Sequence, residues 1–197
     1  LSGDKGKIVS RNLTHLSFFI ILLFGLIITF AKPGIFVLNP LYEIAALVVG
    51  FLAIRTMFFS LSEVLERFLI GVEEVDNKEK STFKNYIKSK LFFIPTLRLI
   101  QNTIYLIVLS IVLLSLNNST KDIELVIFWS IIAMSSQIPL TVYLLYKTKQ
   151  TFQLNFEIKS ISKYMISGII SFSFVYLLTE KFLVYNKSLI EFLPQVL

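Results

Sequence analysis

The sequence contains no cysteine, which excludes disulfides, thiolate metal sites and a cysteine nucleophile. It has a single histidine, His15, and one imidazole cannot assemble a metal cluster. It has no Gly-rich phosphate loop, no HExxH and no carboxylate pair in a cleft-like setting, so no enzymatic constellation is read and no cofactor, metal or nucleic-acid partner is expected. It also lacks ten-residue segments of alternating hydrophobicity, which argues against a β-barrel. The most telling absence is of charge. Residues 99–120 and 125–146 contain no Asp, Glu, Lys or Arg, nor do 16–31 and 164–179, and 44–62 carry only Arg55.

What fills those stretches is Ile, Leu, Val and Phe on all sides rather than along one stripe, the pattern of a helix wetted by lipid or buried all round. A bilayer core about 30 Å thick needs roughly 20 apolar residues per helix. The hydrophobic fraction of 55% and mean hydropathy of +0.74 agree. The expected fold is therefore all-α, a polytopic transmembrane bundle with spans at 13–31, 41–70, 92–116, 123–146 and 163–180. The apolar stretch 189–197 is expected to begin a sixth span. Breaker pairs Lys32-Pro33-Gly34 and Asn39-Pro40 bracket the first connection, and Asn117-Asn118-Ser119-Thr120 ends the third span. Successive spans are expected to form hairpins: first with second, third with fourth.

The net charge of +6 is unevenly placed. The N-terminal tail and the 71–91 and 147–162 loops, with flanking Arg67 and Lys163, hold 13 Lys and Arg, against four on the other side (Lys32, Lys121, Lys181 and Lys187). Basic loops mark the cytoplasmic face, so the chain is expected in the cell membrane with its N-terminus inside. Within 71–91, Phe83, Ile87 and Leu91 recur at helical spacing beside Lys80, Lys84 and Lys88, predicting an interfacial amphipathic helix on an anionic leaflet.

Polar positions inside the spans are the candidate site. Arg55 sits mid-way along the second span, where an Arg costs about 2.5–3.5 kcal/mol on insertion scales and should face a cavity or a partner. Arg55, Phe59, Ser62 and Glu66 share one helix face. In the third span Arg98, Gln101, Asn102 and Tyr105 make a second polar face, with Pro95 near the helix start. Arg55, Arg98, Gln101 and Asn102 are the candidate substrate-binding residues. For Arg98 an ion pair with Glu66 is an equally good reading, and Arg55 could also serve a structural carboxylate or snorkel. Ser130, Gln137 and Thr141 are expected to hydrogen-bond neighbouring helices. Gly25, Gly168 and Ser171 read as packing notches, and His15 as an interface residue.

The order of these features resembles a known family. A polar segment, Ser2-Gly3-Asp4-Lys5-Gly6-Lys7, precedes a span ending in Lys32-Pro33. Leu38-Asn39-Pro40-Leu41-Tyr42 follows, and the next helix ends in Leu69-Ile70-Gly71-Val72-Glu73. A basic stretch, Lys84-Asn85-Tyr86-Ile87-Lys88-Ser89-Lys90-Leu91-Phe92, then runs into Pro95-Thr96-Leu97. To about residue 180 this resembles the polysaccharide biosynthesis flippases, archaeal-type, of the multidrug/oligosaccharidyl-lipid/polysaccharide exporter superfamily. The resemblance implies a non-enzymatic transporter that moves lipid-linked sugar phosphates across the membrane by alternating access. It also implies that the chain is most of a C-terminal six-helix bundle, partnered by an N-terminal bundle of the same polypeptide and by membrane lipids. In such transporters the substrate site lies between repeats near the midplane. Two other readings stay open: a cation-coupled multidrug-type exporter of the same superfamily, and an integral-membrane glycosyltransferase or polymer ligase. The exporter would want an acid in the membrane core, and the enzyme a large external loop. A non-catalytic membrane scaffold is a third alternative.

Overall fold

The computed structural model describes residues 2–38, 42, 45–72, 83–116, 122–152, 154 and 157–182. Among the described residues there is no strand. Six helices follow one another: α1 (Ser2–Leu38), α2 (Ala46–Ile70), α3 (Phe83–Ile87), α4 (Lys90–Leu116), α5 (Asp122–Phe152) and α6 (Ile158–Phe182). All but α3 are long and apolar enough to cross a membrane. The fold is an all-α helical bundle, as the apolar runs require. The expected start of a sixth span, 189–197, lies outside the described residues.

Several boundaries differ from the sequence reading: α5 runs on to Phe152, past the expected end at 146, and α6 begins at Ile158, before the expected start at 163. The Lys32-Pro33-Gly34 breaker does not end α1, which runs on to Leu38. Proline forfeits one backbone hydrogen bond, and the flanking turns of a long apolar helix hold it through that loss. At 37 residues α1 is about 55 Å long, well beyond the hydrocarbon core, and its first turns project past the expected start at residue 13. The interfacial helix is also shorter than the lysine and apolar spacing predicts. α3 covers only Phe83–Ile87. The Ser89 hydroxyl donates to the Tyr86 carbonyl at 2.6 Å, and the Ser89 amide donates to the same oxygen at 3.0 Å. Serine competing for backbone in this way closes the helix early, and Leu91 falls in α4. Lys80 and the Lys84 side chain lie outside what is described. Pro95 and Pro139 are carried inside α4 and α5.

The helices pack as a bundle in which α1 also touches α5 and α2 touches α4. α6 packs on α1, α1 on α2, α2 on α5 and α5 on α4. The expected hairpins, α1 with α2 and α4 with α5, are both present. α1 and α6 are parallel. Phe18 meets Tyr164, Ile21 meets Gly168, Gly25 meets Phe172 and Lys32 meets Glu180, so one register holds along their whole contact. α4 and α5 are antiparallel, since Phe93 faces Tyr143 and Tyr105 faces Trp129.

The closest apolar packing gathers at one end of the bundle. Val9 and Leu13 of α1, Leu65 and Leu69 of α2, Ile94 of α4 and Leu140 and Leu144 of α5 form a contiguous core. Gly6 permits this closure, because a Cβ there would lie 2.5 Å from the Phe152 carbonyl oxygen. This end carries the basic loops of the sequence reading and is called the basic end below. Elsewhere the Ile, Leu and Phe side chains point outward: Leu99, Leu114, Ile170 and Phe174 are all more than 60% exposed. Lipid tails are as apolar as Leu, so a membrane helix gains little by turning such residues inward.

Candidate functional site

The polar residues of the spans fall into three groups. The first is an ion cluster between α2 and α4 near the basic end. Glu63 and Glu66 lie one turn apart on α2, which puts both carboxylates on the same side of the helix. Arg98 of α4 reaches both: its Nη1 donates to Glu63 Oε1, and its Nη2 lies 2.9 Å from Glu66 Oε2. The latter two atoms are shielded and not aligned as a hydrogen bond, so that half of the cluster is a Coulombic contact. The guanidinium also stands 5.3 Å from the centre of the Phe59 ring, a cation–π distance. Arg67 approaches Glu63 from the same helix at 3.6 Å. Two cations and two anions therefore neutralise one another, and the ion-pair reading of Arg98 is the one realised.

The second group is a hydrogen-bond ladder across three helices. The Gln137 amide of α5 donates to Ser62 Oγ of α2 at 3.0 Å. Gln101 of α4 donates to the Ser136 carbonyl at 3.0 Å and to Gln137 Oε1 at 3.3 Å. One turn along α5, the Thr141 hydroxyl lies 3.1 Å from the Phe58 carbonyl of α2 and 3.0 Å from the Gln137 carbonyl. Further out, the Trp129 indole donates to Tyr105 Oη at 2.8 Å. Ser62, Gln137 and Thr141 are buried. The expectation that Gln137 and Thr141 bond across helices holds. Ser130 differs, since its hydroxyl turns back to the Ile127 carbonyl of its own helix. Gln101 is thus committed to a helix–helix clamp.

The third group is what remains uncommitted. Arg55 is half-buried on α2, with no ion pair or hydrogen bond among the described residues. It lies about 16 Å along the helix axis from Glu66, well away from the ion cluster. Asn102 is exposed on α4 and likewise makes no described hydrogen bond. The four candidates therefore separate: Arg98 and Gln101 are tied into packing, while Arg55 and Asn102 are available to a ligand. Arg55, Phe59, Ser62 and Glu66 do share a face, but it is not one continuous open track. Phe59 is 41% exposed, Ser62 is sealed under α5, and Glu66 is held by Arg98.

Comparison with known protein families, with characterised proteins and with solved structures finds no match.

The remaining expectations are simple to place. Gly25 and Gly168 are packing notches: a Cβ on Gly25 would run into the Phe172 ring, and one on Gly168 would lie 2.7 Å from an Ile21 methyl. His15 is exposed, with Arg11 Nε 3.5 Å from its Nε2, and no carboxylate is paired with it among the described residues. No group of three or more metal-ligating side chains occurs among the described residues. Two features escaped the sequence reading. Lys32 and Glu180 join the far ends of α1 and α6 at 3.1 Å; both flank apolar runs, but nothing in the sequence says that those two runs are neighbours. At the basic end, Lys88, Lys90 and Lys147 converge on one cavity, although they come from segments more than fifty residues apart.

Proposed function

We propose that this bundle belongs to a transporter that flips lipid-linked oligosaccharide or polysaccharide precursors across the cell membrane by alternating access, working with a second helix bundle of the same polypeptide. The observation that carries the reading is Arg55: a mid-span cation with no described partner, on a helix whose other core charges are neutralised. An uncompensated intramembrane Arg calls for an anion, and the phosphate of a lipid-linked sugar in transit is the anion that flipping would bring to that depth. Its planar guanidinium can hold two phosphate oxygens at once. Asn102, exposed on the neighbouring helix, adds a neutral donor and acceptor suited to sugar hydroxyls. The sequence resemblance to polysaccharide flippases points the same way. The core acids Glu63 and Glu66 are already paired with Arg98, which disfavours them as a cation-coupling site and so favours the flippase over the multidrug-type alternative.

The test is translocation of a lipid-linked oligosaccharide in proteoliposomes holding the full-length transporter. Arg55→Ala should abolish it, and Arg55→Lys should keep a fraction, since the charge stays while the two-pronged contact is lost. Full activity of Arg55→Ala would refute the reading. The excess of Lys and Arg supports a cytoplasmic basic end. With no native cysteine to interfere, a cysteine at Phe182 should react with an impermeant thiol reagent in intact cells and one at Thr151 should not; the reverse pattern would invert the orientation.

A further inference from the structure

At the basic end, the α3–α4 turn and the last turns of α5 enclose a cavity of about 240 Å³. Lys88 and Lys90 stand on one side of it and Lys147 on the other, with Ser89 between; Ile94 and Leu144, both buried, form the floor. No acid lines it. Lys88 and Lys147 are exposed and form no ion pair among the described residues. α4 begins at Lys90, so the positive end of its dipole adds to the same field. The volume is below the roughly 300–1,000 Å³ of pockets that swallow a whole drug-sized ligand, and suits a single charged group.

Tyr143 also lines a second cavity, of about 330 Å³, on the seam between α4 and α5. Its walls are Leu97, Ile100 and Ile104 of α4 facing Pro139 and Leu140 of α5. The Gln101 amide on this seam is already used by Ser136 and Gln137, which leaves the groove apolar. From Lys90 to Ile104 the helix climbs about 21 Å, enough to cover the roughly 15 Å depth of one leaflet's hydrocarbon. Beside the basic cavity, Phe83, Tyr86 and Ile87 of α3 are exposed, as expected of side chains seated at the interface.

We infer that this composite pocket is a binding site for an anionic glycerophospholipid, with the phosphate among Lys88, Lys90 and Lys147 and one acyl chain in the α4–α5 groove. The charge selects the head group, the apolar groove selects a lipid over a free anion, and the groove length matches a lipid of one leaflet. The site is separate from Arg55. On the helical wheel Ile100 and Ile104 lie about 120–160° from Arg98 and Asn102, and Gln101, which borders the groove, has its amide turned to Ser136 and Gln137. The inference does not depend on the transport reading.

Native mass spectrometry of the detergent-purified full-length protein tests it, with phosphatidylglycerol, phosphatidylcholine, polyprenyl phosphate and inorganic phosphate each added in turn. Phosphatidylglycerol should be retained in preference to phosphatidylcholine. The double variant Lys88→Gln/Lys147→Gln should weaken that retention about 25-fold, two lysines at roughly fivefold each. Ile104→Trp, which fills the groove and leaves the charges untouched, should weaken it as well. Equal retention of the two phospholipids, indifference to either variant, displacement by inorganic phosphate, or displacement by an equimolar polyprenyl phosphate would each overturn the assignment. The last result would instead give the pocket to the transported substrate.

Discussion

Where α6 meets α1, the contact is a row of small residues beneath large ones: Gly25 under Phe172, Gly168 against Ile21, Phe18 edge-on to Tyr164 at 5.3 Å. α6 has no buried residue. Where α5 meets α2 and α4, the contact is made of Ser62, Gln137, Gln101 and Thr141, closed at the basic end by the Arg98–Glu63–Glu66 cluster. The two halves use the two means available when lipid removes the hydrophobic driving force, namely close van der Waals fit and interhelical hydrogen bonds. The cost of a displacement differs. At the α1–α6 seam it drives a bulky side chain into a glycine notch, whereas in a network of buried polar groups it leaves a donor or acceptor unpaired. The α2–α5–α4 half, tied by hydrogen bonds and ion pairs, is the rigid half.

The largest expected effect breaks the rigid half at its charges. Arg98→Ala leaves two carboxylates facing each other without their cation, and should cost about 3 kcal/mol, a fall of roughly 6–12 °C in melting temperature for a chain of this size. Adding Glu63→Gln and Glu66→Gln to that variant should recover most of the loss; no recovery would show that Arg98 works mainly through packing. Next is the steric seam. Gly25→Leu drives a side chain into the Phe172 ring and should cost about 1–3 kcal/mol. Because the damage is confined to α6, a disulfide between cysteines placed on α2 and α5 should still form in that variant. A smaller effect is expected for Gln137→Leu, which removes the bonds to Ser62 and Gln101. Interhelical hydrogen bonds in membranes average about 0.6 kcal/mol, so a loss near 1 kcal/mol should appear in thermal unfolding. Smallest is Lys32→Ala. Its pair with Glu180 is about one-third exposed, and exposed pairs contribute about 0–1 kcal/mol; a loss above 2 kcal/mol would mean that α6 is held by charge and not by fit.

The sequence exposes some of this and conceals the rest for definite reasons. Span number and class follow from the charge-free runs, because the cost of burying backbone and charge in hydrocarbon leaves few alternatives. The glycine notches were visible as small residues in otherwise bulky helices. Helix ends were not: Pro33 reads as a stop, yet one lost hydrogen bond is minor in a 37-residue helix, and Ser89 ends α3 through a local hydroxyl–carbonyl bond that spacing does not reveal. For the candidate site, the sequence places Arg98, Gln101, Asn102 and Tyr105 on one face but says nothing of what stands opposite. Glu63 and Glu66 pair with Arg98, and Gln137 accepts from Gln101, contacts that only the packing of α2 and α5 against α4 creates. The convergence of Lys88, Lys90 and Lys147 on one cavity is hidden for the same reason.

The central claim is a division of labour between two arginines in adjacent helices: Arg98 holds the bundle together, and Arg55 is free to meet an anion. Thermal stability of Arg55→Ala in detergent, without substrate and beside Arg98→Ala, tests it most directly. Since removing Arg55 breaks no described contact and relieves a desolvation cost, its melting temperature should stay within about 2 °C of the parent protein while Arg98→Ala drops. A fall for Arg55→Ala as large as that for Arg98→Ala would contradict the account and make Arg55 a second structural ion-pair partner.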